Sequence, residues 1–442
     1  MRDLSSSAHV GPIWGAHDES VLITGPLPDD EVLPAAAHLA GPRSEALLRT
    51  ALSAVGGELR TSRPSHVQYR PGSDVVVRFD ATVSWSGATA VKETLVAATS
   101  GNGIPPGTLP VVAESDGREL EVGVWRWPFD PLLIGLGAMV TPGSAAQRLE
   151  SWVRGPIALE VVAYRPTERA VVRVTGADGV VRYVKVLPPS SVAAVVERHE
   201  RLREAGIPVP VILAADEAEG WLVMEELAGD TLRLRLKNHR PPWPSAPAFD
   251  ELLSSLRSTV LPSATPVRPR TLDGIGHAAM LTTVLPDQSP RLERLQAVLA
   301  PAADRAAERS GPTVHGDLYE AQLIVEGQRF TGLLDVDDVG PGDPLDDLAT
   351  VLGHLRYRQV TDRERGPAVG GYADALRRDF LDIVDRLGVD PHELDVVTGA
   401  VLVGLATGPF RIQQRGWKHE ARRLLARAER TIHGEATTDA TR

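Results

Sequence analysis

Two stretches of the chain read almost alike: Tyr69-Arg-Pro-Gly-Ser-Asp-Val-Val-Val-Arg-Phe79 and Tyr164-Arg-Pro-Thr-Glu-Arg-Ala-Val-Val-Arg-Val174. In each, β-branched residues alternate around a short turn, the pattern of a β-hairpin. Each is followed by a second β-like segment carrying a Val-Lys pair, Val91-Lys92 and Val184-Lys185. A single echo is not a solenoid. It points to a duplicated or mimicked β-unit, with the first copy inside an N-terminal accessory domain.

The remaining patterns extend this division. Ser44 to Val55 has helical spacing, and strands are expected at about 66–80, 90–98, 109–114 and 119–126. Thr141-Pro-Gly-Ser144 reads as a linker, with Ser144 capping a helix through Val153. Strands follow at 158–164, 170–174 and 180–187, the last two joined by a turn at 176–179. A helix over 191–205 is stopped by Pro208 and Pro210, and strands over 211–215 and 221–225 complete the β-rich part. After Gly229 the spacing is helical at 249–259, 291–309, 370–387, 391–404 and 413–433, with a Pro-rich loop at 239–248 and a β interlude at about 321–335. The expected organisation is a cap over 1–150, a β-rich lobe over 151–229 and a helical lobe over 230–442.

Composition narrows the functional classes. With 442 residues, 43% hydrophobic and 24% charged, the chain suits a soluble globular protein of two or three domains. There are no cysteines, which removes disulfides, thiolate metal sites and a cysteine nucleophile. A net charge of −11 disfavours a non-specific nucleic-acid binder. The N-terminus lacks a signal-peptide pattern, and apolar windows such as Leu132 to Val140 are too short and Gly-broken to span a bilayer. The expectation is a cytoplasmic protein, monomeric or homodimeric, without nucleic-acid or membrane partners.

The chemistry concentrates in HGDLYEAQLIVEGQRFTGLLDVDDVGPGDPLDDLA, His315 to Ala349. Gly316 permits a tight turn that aims Asp317 into a cleft. Gln322 precedes one short strand and Asp335 ends the next, so a hairpin brings an amide oxygen beside a carboxylate. Such a pair, with phosphate oxygens and water, is how proteins hold Mg²⁺. A separate carboxylate within reach of a substrate hydroxyl orients that nucleophile or takes its proton.

His315-Gly-Asp-Leu, Gln322 and the run from Leu334 to Ala349 resemble the active-site signature of the aminoglycoside phosphotransferase-like kinases. The resemblance implies an α+β, protein-kinase-like two-lobe fold, with a β-rich N-lobe and a helical C-lobe behind the α/β cap. It implies ATP and Mg²⁺ as cofactors, Asp317 as the catalytic residue, and Gln322 and Asp335 as metal ligands. Many members carry Asn where this chain has Gln322; both supply the same oxygen. Asp343 and Asp347 are implied to brace the loop. Lys185, in a strand, is implied to hold the α/β-phosphates with Glu197 of the following helix as its partner. Trp221 to Gly229 resembles the adenine-binding linker, with Glu225 and Leu227 offering backbone groups and Met224 lining the pocket. One departure is the glycine-free loop Tyr164 to Arg169, where Arg165, Arg169 or backbone amides replace a Gly-rich cover.

For the acceptor, Phe410-Arg-Ile-Gln-Gln-Arg-Gly-Trp-Lys418 is distinctive. Trp417 either stacks on a sugar ring or anchors the last helix. The ensemble is similar to actinobacterial sugar kinases related to maltokinases, and the Gly-Trp-Lys region resembles their glucosamine kinase branch. That implies phosphorylation of the 6-hydroxyl of D-glucosamine, with Gln413 or Gln414, Trp417, Lys418 and Arg422 near the sugar. Maltose or an aminoglycoside is the alternative acceptor. An ammonium substrate would want a carboxylate partner, and Glu320, Asp337 and Asp338 are the candidates from position alone.

Overall fold

The structure, a computed structural model, describes residues 27–41, 43–86, 88–115, 118–261 and 264–434. It is a mixed α+β chain whose contacts divide into two compact units. The first holds the described residues through Ala193, with Val211–Glu226 and Arg411–Arg415. The second holds Ala194–Pro210, Leu227–Phe410 and the described residues from Gly416.

The first unit contains two sheets of one design. Helices α1 (Ala36–Leu39) and α2 (Ser44–Ser53) precede strands β1 (Gly57–Arg70), β2 (Asp74–Trp85), β3 (Val91–Ser100), β4 (Leu109–Ser115) and β5 (Arg118–Arg126). Helices α3 (Leu136–Met139) and α4 (Pro142–Leu149) precede β6 (Ala158–Arg165), β7 (Arg169–Thr175), β8 (Val181–Val186), β9 (Ile212–Asp216) and β10 (Trp221–Glu225). The orders are β1-β2-β3-β5-β4 and β6-β7-β8-β10-β9, with every neighbour antiparallel. The sequence echo is therefore the visible part of two sheets with the same topology. Only the second has a helix, α5 (Pro189–Glu204), between its third and fourth strands.

Each hairpin is tied down by a carboxylate from upstream. Asp30 accepts from the Tyr69 hydroxyl at 2.9 Å and the Gly72 N–H at 2.8 Å. Asp130 accepts from the Tyr164 hydroxyl at 2.8 Å and the Thr167 N–H at 2.9 Å. The other oxygen of each takes two N–H groups from its own loop, Val32 and Leu33 or Leu132 and Leu133. Gly72 and Thr167 both have left-handed backbone, φ 68° and 63°. The two Val-Lys pairs are not equivalent, however. Val171 on β7 faces Lys185, whereas the corresponding Val76 on β2 faces Ala98.

One apolar core joins the two sheets. Val96 and Trp125 of the first sheet, Leu136 and Leu149 of the helices, and Val161, Val172 and Val184 of the second sheet all belong to it. The helix expected to begin at Ser144 begins at Pro142 and ends at Leu149. Proline suits the first helical position, because its missing N–H has no helical acceptor to find there.

The second unit is mainly helical: α6 (Leu232–Lys237), α7 (Ala246–Ser258), α8 (Arg270–Val284), α9 (Ser289–Arg309), α10 (Pro344–Thr361), α11 (Gly366–Arg386), α12 (Pro391–Leu405), α13 (Gly408–Arg411, which runs to the unit's edge) and α14 (Trp417–Ile432). Short strands β11 (Asp230–Thr231), β12 (Thr313–Val314), β13 (Leu323–Glu326), β14 (Arg329–Leu333) and β15 (Gly340–Pro341) lie among them. Helices α8 and α10 were not expected from the sequence. Both carry a glycine where α12 comes closest: a Cβ on Gly274 would stand 2.9 Å from Ala400, and one on Gly353 2.5 Å from Val401. Glycine weakens the local helical signal, yet here it permits the crossing. Helix α14 starts at Trp417 rather than 413, because Gln413 and Gly416 have left-handed backbone. The stretch Pro391–Arg411 is long and apolar enough to cross a membrane by length and composition, and 83% of that window is buried inside the protein.

Candidate active site

The site is built from the segment between β12 and α10. Strand β12 pairs with β15, Val314 opposite Gly340. The chain then turns at Gly316, whose φ is 82° and whose Cβ, if present, would lie 2.9 Å from Val267. Asp347, from the first turn of α10, accepts the N–H groups of His315 at 2.8 Å and Gly316 at 3.0 Å. The buried His315 ring reaches the Leu334 carbonyl through Nε2 at 2.9 Å. Two peptide N–H bonds and one ring bond thus fix the turn that presents Asp317. Asp343 acts elsewhere, capping α10 through the Leu345 N–H and pairing with Arg309 at 2.6 Å.

The Asp317 side chain is 41% exposed, and its Oδ1 accepts from Arg270 Nη2 at 3.0 Å. The same guanidinium donates to the Gly316 carbonyl, while the Arg270 N–H donates to Asp346 at 3.2 Å. Burial works against the Arg270 charge, but Asp317, Asp273 and Asp346 outweigh it and raise its pKa. Burial, with Asp343 beside it, pushes Asp346 well above the ordinary carboxylate range. Arg270 has no motif signal. It lies at the start of α8, the helix its glycines conceal.

Strands β13 and β14 form the expected hairpin, Leu323 opposite Leu333 and Ile324 opposite Gly332. It brings Gln322 and Asp335 together: Gln322 Nε2 donates to Asp335 Oδ2 at 3.2 Å. Asp335 has φ 56° and ψ 52°, a left-handed conformation rare outside glycine and asparagine and found where surrounding structure enforces it. A half-turn of the Gln322 amide places its oxygen beside the same carboxylate. That gives two oxygens of the kind hard cations take. Among the described residues no group of three or more His, Asp or Glu could hold a metal alone. The donor set suits Mg²⁺, which keeps few protein ligands and shares phosphate oxygens and water.

Glu320 is not available to a substrate amine, contrary to the sequence expectation. It is 2% exposed, pairs with Arg233 at 3.1 Å and accepts from Arg358 at 2.5 Å. Burial alone would raise its pKa; His354, Arg358 and Arg233 hold it below the ordinary value. Asp338 is exposed and Asp337 half-buried in the turn Val336–Asp338. Tyr319 stacks on His354 with ring centroids 4.2 Å apart. Burial, with Asp317 nearby, raises its hydroxyl pKa.

In the first unit, Lys185 is 5% exposed, while its neighbours Val184 and Val186 are fully buried in the core. Alternation along the strand puts the lysine on the opposite face, and its burial excludes a solvent-facing strand lysine. Met224 is 9% exposed, and the Glu225 N–H donates to the Val211 carbonyl at 3.0 Å. Leu227 and the half-buried Glu197 belong to the second unit. In the glycine-free hairpin, the Thr167 N–H is already donated to Asp130. Gln413 is buried in the first unit. Trp417 is buried in the second, its ring edge-on to Phe410 at 5.0 Å, the anchoring arrangement. Lys418 is exposed, with Nζ 5.7 Å from the Trp417 ring centre.

No curated protein matches the chain. Among solved structures it is similar to a thermostable mutant of aminoglycoside phosphotransferase APH(4)-Ia in ternary complex with ADP and hygromycin B. The identity is 14% over 67% of this chain and 99% of that one, with a TM-score of 0.46. It is similar to aminoglycoside phosphotransferase APH(3'')-Id from Streptomyces rimosus at 21% identity, over 60% of this chain and 99% of that one, with a TM-score of 0.37. A macrolide 2'-phosphotransferase type I is similar at 17% identity, over 65% and 98%, with a TM-score of 0.41. Residues 165–382, which contain the whole Asp317 loop and the Gln322–Asp335 pair, match the phosphotransferase enzyme family (APH). That match covers just under half of the chain.

Proposed function

We propose that the protein is an ATP- and Mg²⁺-dependent kinase that phosphorylates the 6-hydroxyl of D-glucosamine. The observation that carries the kinase reading is the braced Asp317 next to a strained carboxylate–amide pair, inside the family-matched segment. Mg²⁺, when bound, would supply positive charge against the phosphates. Gln322 and Asp335 are the residues that would hold it.

Asp317 orients the acceptor hydroxyl for in-line attack. Arg270 occupies its Oδ1 and so fixes the plane of the carboxylate, leaving Oδ2 for the hydroxyl. Lys185 is assigned to the α- and β-phosphates with Glu197 as its partner, and Met224, Glu225 and Leu227 to the adenine. The Glu225 N–H is spent on Val211, so the adenine contact of this residue goes through its carbonyl. Gln413 and Lys418 are assigned to the sugar, while Trp417, buried edge-on against Phe410, is assigned to anchoring the last helix. They lie beyond the matched segment, and their support is the Gly-Trp-Lys resemblance. With Glu320 committed to two arginines, the exposed Asp338 is the carboxylate assigned to the amine.

The test is ADP release by the purified full chain with glucosamine, glucose, maltose and aminoglycosides as acceptors. Glucosamine should give the highest kcat/KM. Preference for maltose or an aminoglycoside would replace the acceptor and keep the chemistry, whereas no ADP release with any acceptor would remove the kinase reading.

A further inference from the structure

Away from Asp317, the second unit holds a cavity of about 280 Å³ among α10, α11, α12 and α14. Its charges do not balance. Four arginines and two aspartates line it: Arg356, Arg377, Arg378 and Arg427 against Asp374 and Asp395. Both carboxylates are already engaged. Asp374 pairs with Arg356, and Asp395 takes a two-pronged contact from Arg377, one arm at 2.6 Å. Arg378, exposed at the rim, and Arg427, on the wall, make no contact-distance ion pair among the described residues, although the Asp374 charge acts favourably on Arg427.

Arg427 is the unusual member. It is only 4% exposed, and its Nε meets no acceptor. One helical turn along, Thr431 is 8% exposed, and its hydroxyl is likewise buried without a partner. Burial, with Arg356 and Arg430 nearby, pushes the Arg427 pKa down to about 10, still charged at neutral pH. An arginine cannot escape burial by losing its proton. A buried guanidinium with its Nε–H unmet and a buried hydroxyl without a partner, both lining one cavity, describe half of a binding site.

We propose that this cavity binds a phosphate dianion, carried by a small phosphorylated metabolite, with Arg427 and Thr431 as its buried donors and Arg378 at the mouth. Guanidinium forks match phosphate oxygens in geometry as well as charge. At ~30 Å³ per water, the cavity holds about nine waters, more than a bare ion fills. The site is independent of the active-site assignments.

The test is calorimetric titration of the full chain with inorganic phosphate and, separately, with glucose 6-phosphate, at constant ionic strength. Saturable binding is expected, at least tenfold weaker in Arg427→Met and severalfold weaker in Thr431→Val. Lys185→Met and Asp317→Asn should bind as the unaltered chain does, which separates this cavity from the proposed nucleotide site. Tighter binding of the ester identifies a metabolite site, and equal binding a site for the phosphate group alone; both support the assignment. Removing a charge that burial, Arg356 and Arg430 disfavour on balance also predicts that Arg427→Met melts higher than the unaltered chain without phosphate. If Arg427→Met does not fold, Thr431→Val decides. The proposal is overturned if neither compound binds saturably, if binding is unmoved by these substitutions, or if Lys185→Met abolishes it.

Discussion

Asp317 is held from two sides, by peptide bonds that Asp347 fixes and by the Arg270 guanidinium. Asn at 317 keeps the shape and loses the charge that orients the hydroxyl. Asp317→Asn should lower kcat by about 10²–10⁴-fold while the melting transition stays cooperative, since Arg270 keeps Asp273 and Asp346 beside it. Steady-state ADP release and calorimetry of the same preparation check both halves. A second residue-scale expectation concerns His66. Burial and the charges of Arg411, Arg78 and Arg165 lower its pKa from 6.5 to about 3. The unfolded chain therefore binds the extra proton first. This histidine favours the fold above pH 6.5, and that contribution is lost as pH falls toward 3. His66→Gln should flatten the fall of Tm across that window.

At the scale of elements, legibility followed how strongly local pattern and tertiary need agreed. Strands β6 to β10 and helix α5 lie within one or two residues of expectation, because alternating Val residues and the prolines after α5 all point one way. The hairpin carrying Gln322 and Asp335 was equally readable. Helices α8 and α10 were not, because Gly274 and Gly353 serve a close crossing with α12 that no local window reveals. Arg270 was hidden with α8, since a contact 47 residues along the chain leaves no spacing signal. The same crossing yields a prediction. Gly353→Ala drives a methyl into Val401 and should destabilise the protein by about 1–3 kcal/mol, the usual cost of overpacking. Denaturant unfolding measures it. Gly371→Ala, on the same unit but with open space around it, is the control and should be neutral or slightly stabilising.

At the scale of the whole molecule, the chain uses one five-stranded design twice, and only the second copy carries a buried lysine and a helix after its third strand. The sequence showed the hairpins but not their clamps, because Asp30 and Asp130 act from loops 39 and 34 residues upstream. Each clamp accepts four hydrogen bonds, yet Asp130 is 4% exposed and Asp30 is partly open to water. Removing an acceptor is costlier where water cannot replace it. Asp130→Ala should cost at least about 1–3 kcal/mol, and Asp30→Ala less, in paired unfolding curves.

The clamp also has a kinetic consequence at the β6–β7 tip. The Thr167 N–H is held by a carboxylate almost shut off from water, and its β-branched side chain resists the backbone swing that glycine would allow. In heavy water this amide should exchange at the pace of a core strand amide, not of a loop. A hairpin tip that exchanges so slowly acts as a fixed wall rather than a flap.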